Sequence, residues 1–187
     1  MARIKPLAST EFPADAQRFF EGGEVHASDG VWAHRADLLV PYRTFLKALA
    51  ERSLLSPRLV ELVRLRIAFH NQCRSCMARR TPAAVADGLT EALVCQLAAP
   101  EEAPDLDDRA RAALQYADLV ATRHMDIDDA TFDRLREHFN EGEMVELGVH
   151  CAIFLGFGRL SMSWDLVDEL PGRFQDRRGP VTPWTTA

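Results

Sequence analysis

The stretch FHNQCRSCMARR, residues 69–80, concentrates the reactive side chains of this 187-residue chain. Cys73 and Cys76 stand at CxxC spacing, Arg74, Arg79 and Arg80 surround them, and His70 lies three residues before the first thiol. A pair so spaced can bind a metal, cycle between dithiol and disulfide, or pack. Structural zinc takes four ligands, usually two such pairs or one pair with paired histidines. Here Cys95 and Cys151 are isolated and the six histidines are scattered, so no metal is expected. Packing is an ordinary fate for a free cysteine, and it is the expectation for Cys95 and Cys151. For the CxxC pair the local charge argues for reactivity. Arg58, Arg64, Arg66, Arg74, Arg79 and Arg80 fall between residues 57 and 80 against a single acid, Glu61. Residues 81–108 then carry seven acids and no basic residue. Positive charge lowers a thiol pKa and so enriches the nucleophilic thiolate.

The elements that must position this pair read as helical nearly throughout, with no sustained strand alternation. ADAQRFFEG is a short first helix closed by Gly22 and Gly23. Asp29 and Gly30 precede a long amphipathic run, residues 32–53, which Pro41 kinks or divides. Ser56-Pro57 and Thr81-Pro82 are start signals, with a capping hydroxyl before a proline suited to the first helical position. LVELVRLRIAF is apolar around most of its circumference and is therefore central. If the chain reverses near Asn71, the CxxC opens a returning segment, and Glu61 and Arg80 can meet across that hairpin. A helix N-terminus there favours Cys73 as the more acidic thiol.

Gly88 suits a helix C-cap, residues 100–106 form a loop, and further helices run over about 107–124, 127–139 and from 141 onward, the last ending before Pro171. Gly156 and Gly158 suit close helix contact rather than phosphate binding, because no strand precedes them. VELVRLRIAF and VELGVHCAIF echo one another about 85 residues apart. The tail from Pro171 to Ala187 has little periodicity and is either frayed or an arm on a partner subunit.

Glu61 followed by Cys73-x-x-Cys76, inside ELVRLRIAFHNQCRSC and ahead of GLTEALV, resembles the alkylhydroperoxidase D-like proteins of the carboxymuconolactone decarboxylase superfamily. The resemblance is best over about 31–95, and VELGVHCAIFLGFGRL also looks like that group. It implies an all-α alkylhydroperoxidase D-like fold in homo-oligomers, as dimers, trimers or hexamers. It also implies reduction of a hydroperoxide substrate through the cysteine pair, with an external dithiol electron donor. On that analogy Cys76 attacks the peroxide, Cys73 resolves it as a disulfide, and Glu61 belongs to a proton relay. Two relay histidines of the family are replaced here by Ser75 and Arg80. Arginine stays protonated and cannot shuttle protons, although it can pair with Glu61 or depress a thiol pKa. His70, and His150 beside Cys151, are the histidines left to act as bases.

The chain is thus expected to be one domain over 1–187, with a lead-in over 1–28 and a tail over 171–187. No cofactor is expected. A net charge of -6 argues against a general nucleic-acid binder. No run reaches the length of uninterrupted apolar residues that a membrane span needs, and the first residues lack the apolar core of a secretory signal. The expectation is a cytoplasmic enzyme. Its candidate residues are Cys76, Cys73, Glu61, Arg80 and His70. The alternatives are an acid–base decarboxylase or lactone enzyme of the same superfamily, and a non-catalytic redox-sensing oligomer.

Overall fold

Capping chemistry sets where the helices of this chain begin. The computed structural model describes residues 1–20 and 25–184, and among these the secondary structure is entirely helical. The α-helices are α1 (Ala14–Gln17), α2 (Ala27–Trp32), α3 (Ala36–Glu51), α4 (Pro57–Asn71), α5 (Arg74–Met77), α6 (Pro82–Ala86), α7 (Glu91–Cys95), α8 (Asp108–Thr122), α9 (Asp129–Arg136) and α10 (Glu141–Ser163). Ser56 opens α4 as the sequence predicts, its Oγ accepting the Leu59 N–H at 3.2 Å with Pro57 in the first turn. Thr90, Asp107, Asp128 and Asn140 cap α7, α8, α9 and α10 in the same way. Gly88 follows α6 at φ +85, and the Leu89 N–H reaches back to the Ala84 carbonyl, so the expected glycine stop is present.

Four boundaries differ from expectation. Asp29 and Gly30 lie inside α2 rather than ahead of a helix; the Asp29 carboxylate receives the His26 N–H at 3.0 Å and so fixes an earlier start. Pro41 does not divide the next helix, because α3 runs through it. The break falls before α3 instead, at a 3-10 turn over Ala33–Arg35. The first helix is only four residues long, and Gly22 and Gly23 lie outside the described residues. The last helix stops at Ser163, and Asp165 turns the chain at φ +56.

α4 lies at the centre, packed against both α10 and α8. Leu62, Val63, Leu65 and Ile67 of α4 are almost fully excluded from solvent, together with Leu97, Leu114 and Leu147 from the surrounding elements. That is the physical consequence of a helix apolar on nearly every side. α10 is long and apolar enough to cross a membrane by length and composition, although charged and polar residues interrupt it. One face of it packs on α4 and α8, burying Met144, Leu147, Cys151 and Gly158, while only a third of the apolar stretch is buried. A second, smaller cluster joins Phe12, Ala16, Phe20 and Leu39 near the N-terminus.

Among the described residues the tail, 171–184, folds back on its own chain. Phe174 is 2% exposed and packs with Ala68, Cys73 and Met77, and Trp184 stacks near Phe69 with ring centroids 4.9 Å apart. Besides these two rings, the segment is anchored through its backbone at Val181, Gly179 and Pro183, held by side chains far away in sequence.

Candidate active site

The turn that presents the cysteines begins where α4 runs out. Gln72 adopts a left-handed conformation at φ +52, and the N–H groups of Gln72 and Cys73 bond back to Phe69 and Ala68. Cys73 then becomes the N-cap of α5, and Met77 N–H bonds to its carbonyl. The predicted reversal near Asn71 is therefore present one residue later. It leaves Cys73 and Cys76 with Cα atoms 5.3 Å apart, inside the range a disulfide requires, and the two sulfurs are bridged.

The two cysteines live in different surroundings. Cys73 is fully buried beneath Phe174 and Met77, its sulfur 3.6 Å from the Ser75 hydroxyl. Cys76 is half-buried and lines a pocket of about 190 Å³ with Tyr42, Leu46, Arg64, Phe154 and Phe157. The pocket is largely apolar, and Tyr42 and Phe157 wall it with ring centroids 4.4 Å apart. Burial pushes the Tyr42 phenol up to about 12, so it is neutral at physiological pH.

Glu61 is 2% exposed and is fully engaged. Arg64, one turn along α4, grips it with Nε at 2.8 Å and Nη2 at 2.6 Å, and Thr81 donates both its N–H and its hydroxyl. Burial works to raise the Glu61 pKa. Arg64 and Thr81 together outweigh it, and the carboxyl ends below its ordinary value. Arg64 also donates to the Cys76 carbonyl at 2.7 Å and the Arg79 carbonyl at 2.9 Å. One guanidinium thus ties the buried carboxylate to the cysteine segment.

Arg80 is held elsewhere: the Glu61–Arg80 meeting allowed by the hairpin is replaced by Glu61–Arg64. Arg80 instead pairs with Glu91 at 2.8 Å and donates to the carbonyls of Met77 and Pro183. Arg74 and Gln72 hold the tail as well. Arg74 donates to Gly179 and Asp176 carbonyls, while Gln72 exchanges two hydrogen bonds with the Val181 backbone.

His70 bonds through Nε2 to Asp118 of α8 at 2.6 Å, and Arg66 forks onto the same carboxylate. His150 is 8% exposed, stacks on Phe154, and has Nε2 3.4 Å from Glu146 without hydrogen-bond geometry. Burial lowers its pKa against the opposing pull of Glu146. Cys151 is buried and its thiol is pushed up to about 12, which suits packing and not chemistry. Among the described residues no group of three or more His, Cys, Asp or Glu side chains is arranged to hold a metal.

Arg64 is the residue that the sequence reading passed over. It counted as one of six arginines, and a signal was available in the spacing: Glu61 and Arg64 are three apart on one helix face.

Residues 36–119 match the model of the carboxymuconolactone decarboxylase family. That segment is under half of the chain, 84 of its 187 residues, and the fold that contains it is the all-helical AhpD-like fold. An uncharacterized protein of Mycobacterium tuberculosis (strain ATCC 25618 / H37Rv) is 37% identical over 119 residues, 62% of this chain. That stretch spans 41% of the relative's own length. A solved AhpD-core structure from Ralstonia eutropha JMP134, an uncharacterized peroxidase-related protein, aligns with a TM-score of 0.78 at 21% identity over 93% of this chain and 94% of its own. The apo structure of the debrominase Bmp8 aligns with a TM-score of 0.75 at 18% identity, covering 91% and 92% of the two chains. At these identities the likeness is one of fold.

Proposed function

We propose that this protein is a thiol-dependent, peroxidase-like oxidoreductase that reduces organic hydroperoxides through a dithiol/disulfide cycle of Cys73 and Cys76. The observation that carries the reading is the asymmetry of the pair, with Cys76 at an apolar pocket and Cys73 buried directly behind it. In the reduced protein the Cys76 thiolate attacks the terminal peroxide oxygen. The O–O bond breaks, the alkoxide leaves and takes a proton to become the alcohol, and Cys76 is left as sulfenic acid. The Cys73 thiolate then attacks the Cys76 sulfur, expelling hydroxide that is protonated to water and forming the disulfide. An external dithiol returns two electrons and two protons. A reducing cytoplasm, where such dithiols are maintained, is the setting this cycle needs.

The state of Glu61 counts against the acid–base alternative, and equally against the relay role that the resemblance gives it, leaving the thiol pair to carry the reading. A carboxylate with lowered pKa, saturated by Arg64 and Thr81, is a poor proton carrier. A homo-oligomer is part of the proposal, supported by the outward apolar side chains of α3 and α10. Leu38, Phe45 and Val145 are 47%, 49% and 68% exposed.

The test is hydroperoxide consumption with a dithiol donor, comparing the native chain with Cys76→Ser. Turnover should disappear in the variant. Turnover that survives without Cys76, or is absent from the native chain, refutes the proposal.

A further inference from the structure

Arg64 holds a place in the site that the cycle above leaves without a task. It is only 16% exposed at its side chain, is fixed by Glu61 on one side, and donates to the Cys76 and Arg79 carbonyls on the other. It lines the same pocket as Cys76. Its five N–H donors are nearly spent: Nε–H and both Nη2 protons are taken by Glu61 and the Arg79 carbonyl, and one Nη1 proton by the Cys76 carbonyl. The guanidinium therefore cannot swing away, and a permanently charged group stays at the wall of the pocket.

We infer that Arg64 is the positioning residue for Cys76, holding the cysteine turn in place and favouring the ionised sulfur by charge, with Glu61 acting through it by electrostatics and not by proton transfer. This rests on the peroxidase reading for its purpose, but its test does not. The ion pair makes two opposite demands on the sulfur. Arg64 stabilises the thiolate, and Glu61 partly offsets that charge while fixing where it sits. The other ionisable groups near Cys76 are Arg74, Arg79 and Arg80 of its own segment, Tyr42 of α3, His150 of α10 stacked on the pocket residue Phe154, Asp176 of the tail, and His26, Asp168 and Glu169, which line a neighbouring cavity with Ser75, Ala78 and Arg79. Arg74 is turned to the tail, Arg80 to Glu91 and the tail, and Arg79 donates to the Ser75 carbonyl. Tyr42 is neutral. The α10 residues at the pocket, Ile153, Phe154, Phe157, Gly158 and Ser161, carry no charge.

The experiment measures the ionisation of Cys76 in a Cys73→Ser background, from the pH dependence of its alkylation by iodoacetamide. An opposite charge near a titrating group is worth one or more units, so Arg64→Met should cut the thiolate fraction near neutral pH by roughly tenfold. Glu61→Gln should raise it, and Arg64→Lys should restore most of what Met removes. At a pH where all variants are fully thiolate, their alkylation rates should converge. A merely structural role predicts that both substitutions act in the same direction or leave the profile unmoved, and either result overturns the inference. If Arg64→Met does not fold, Glu61→Gln and Arg64→Lys still give opposed and testable shifts. Because alkylation needs no peroxide, absence of peroxide turnover with these shifts intact would count against the peroxidase reading alone.

Discussion

Gly156 and Gly158 lie two residues apart on α10, and the same substitution should have opposite effects at them. A Cβ at Gly158 would sit 2.5 Å from Asn71 Nδ2, far inside contact distance, whereas a Cβ at Gly156 meets nothing within 4 Å. The Asn71 amide is the tip of a side chain, but it has nowhere to go. It is 8% exposed, donates to the Phe154 and Leu155 carbonyls at 2.9 and 3.2 Å, and accepts from Arg159 Nε at 3.1 Å. Moving it forfeits two or three hydrogen bonds at about 1 kcal/mol each, or else strains the α4–α10 contact by about 1–3 kcal/mol. Alanine in a helix returns about 1 kcal/mol relative to glycine. Gly158→Ala should therefore destabilise by about 1–2 kcal/mol, and Gly156→Ala should stabilise by roughly 0.5–1 kcal/mol. For a chain of this size that is a fall in Tm of about 2–8 °C for the first and a rise of about 1–4 °C for the second. Circular dichroism melts at one fixed protein concentration read both. The Gly158 penalty should shrink in an Asn71→Ala background, because the clash is with that side chain. A Gly158→Ala protein as stable as the native chain would refute the argument that Asn71 is pinned. A Gly156→Ala protein that loses stability would refute the claim of open space there.

Phe174→Ala should cost about 3 kcal/mol locally, as truncating a buried aromatic does, and should expose Cys73. In a Cys76→Ser background, Cys73 labelling by a thiol reagent should speed up, and unchanged labelling would mean the tail does not cover it. His150 gives a pH dependence. Its folded-state pKa lies below the ordinary value of about 6.5, so the unfolded chain takes up the proton first. The stability it contributes is present above about pH 6.5 and is lost as pH falls toward its folded value. The buried carboxylates Glu61 and Glu146 are depressed below their ordinary value of about 4.5, so the stability they contribute is lost only as pH falls below that value. Tm should decline from pH 7 to 5.5 in the native chain and less so in His150→Gln; equal slopes would remove His150 as the cause.

Local chemistry was legible in the sequence wherever it was written in neighbouring residues. Ser56-Pro57 marks the start of α4, Gly88 the end of α6, and apolar residues around most of the circumference of 59–69 put that helix in the centre. The faint echo between VELVRLRIAF and VELGVHCAIF also has a physical basis. Glu61 and Glu146 are both buried, and each closes a loop by accepting one backbone N–H and one hydroxyl, from Thr81 in one case and from Leu54 and Ser53 in the other. Sequence spacing carried the Glu61–Arg64 pair, three apart on one helix face, but not the partner of a side chain that reaches across the fold, as Arg80 does to Glu91 and the Pro183 carbonyl. Glu61 had two arginines within geometric reach, Arg64 along its helix and Arg80 across the hairpin. A pair on one helix face needs no loop geometry to bring it together, so the nearer one holds it. The tail was illegible for the same reason, because its order comes from Gln72, Arg74 and Arg80, about a hundred residues upstream.

Those partners change how the departures from the family pattern are understood. Arg80 stands where the resemblance calls for a relay histidine, and it is engaged with Glu91 and with the Pro183 carbonyl, on the side of the tail. Ser75 stands at the other histidine position and lies beside the buried sulfur of Cys73. Neither replacement is placed to pass a proton from Glu61 to Cys76, and the carboxylate itself is locked to Arg64. Arg80, one of the two residues that interrupt a relay, is part of a clamp: Arg64 fixes the cysteine turn from the α4 side, and Arg74, Gln72 and Arg80 fix the tail over its other face. A site organised this way needs its charge supplied permanently rather than on demand. That is a property of arginine and not of histidine, and it is why exchanging Arg64 for methionine should be felt in the ionisation of Cys76 before it is felt anywhere else.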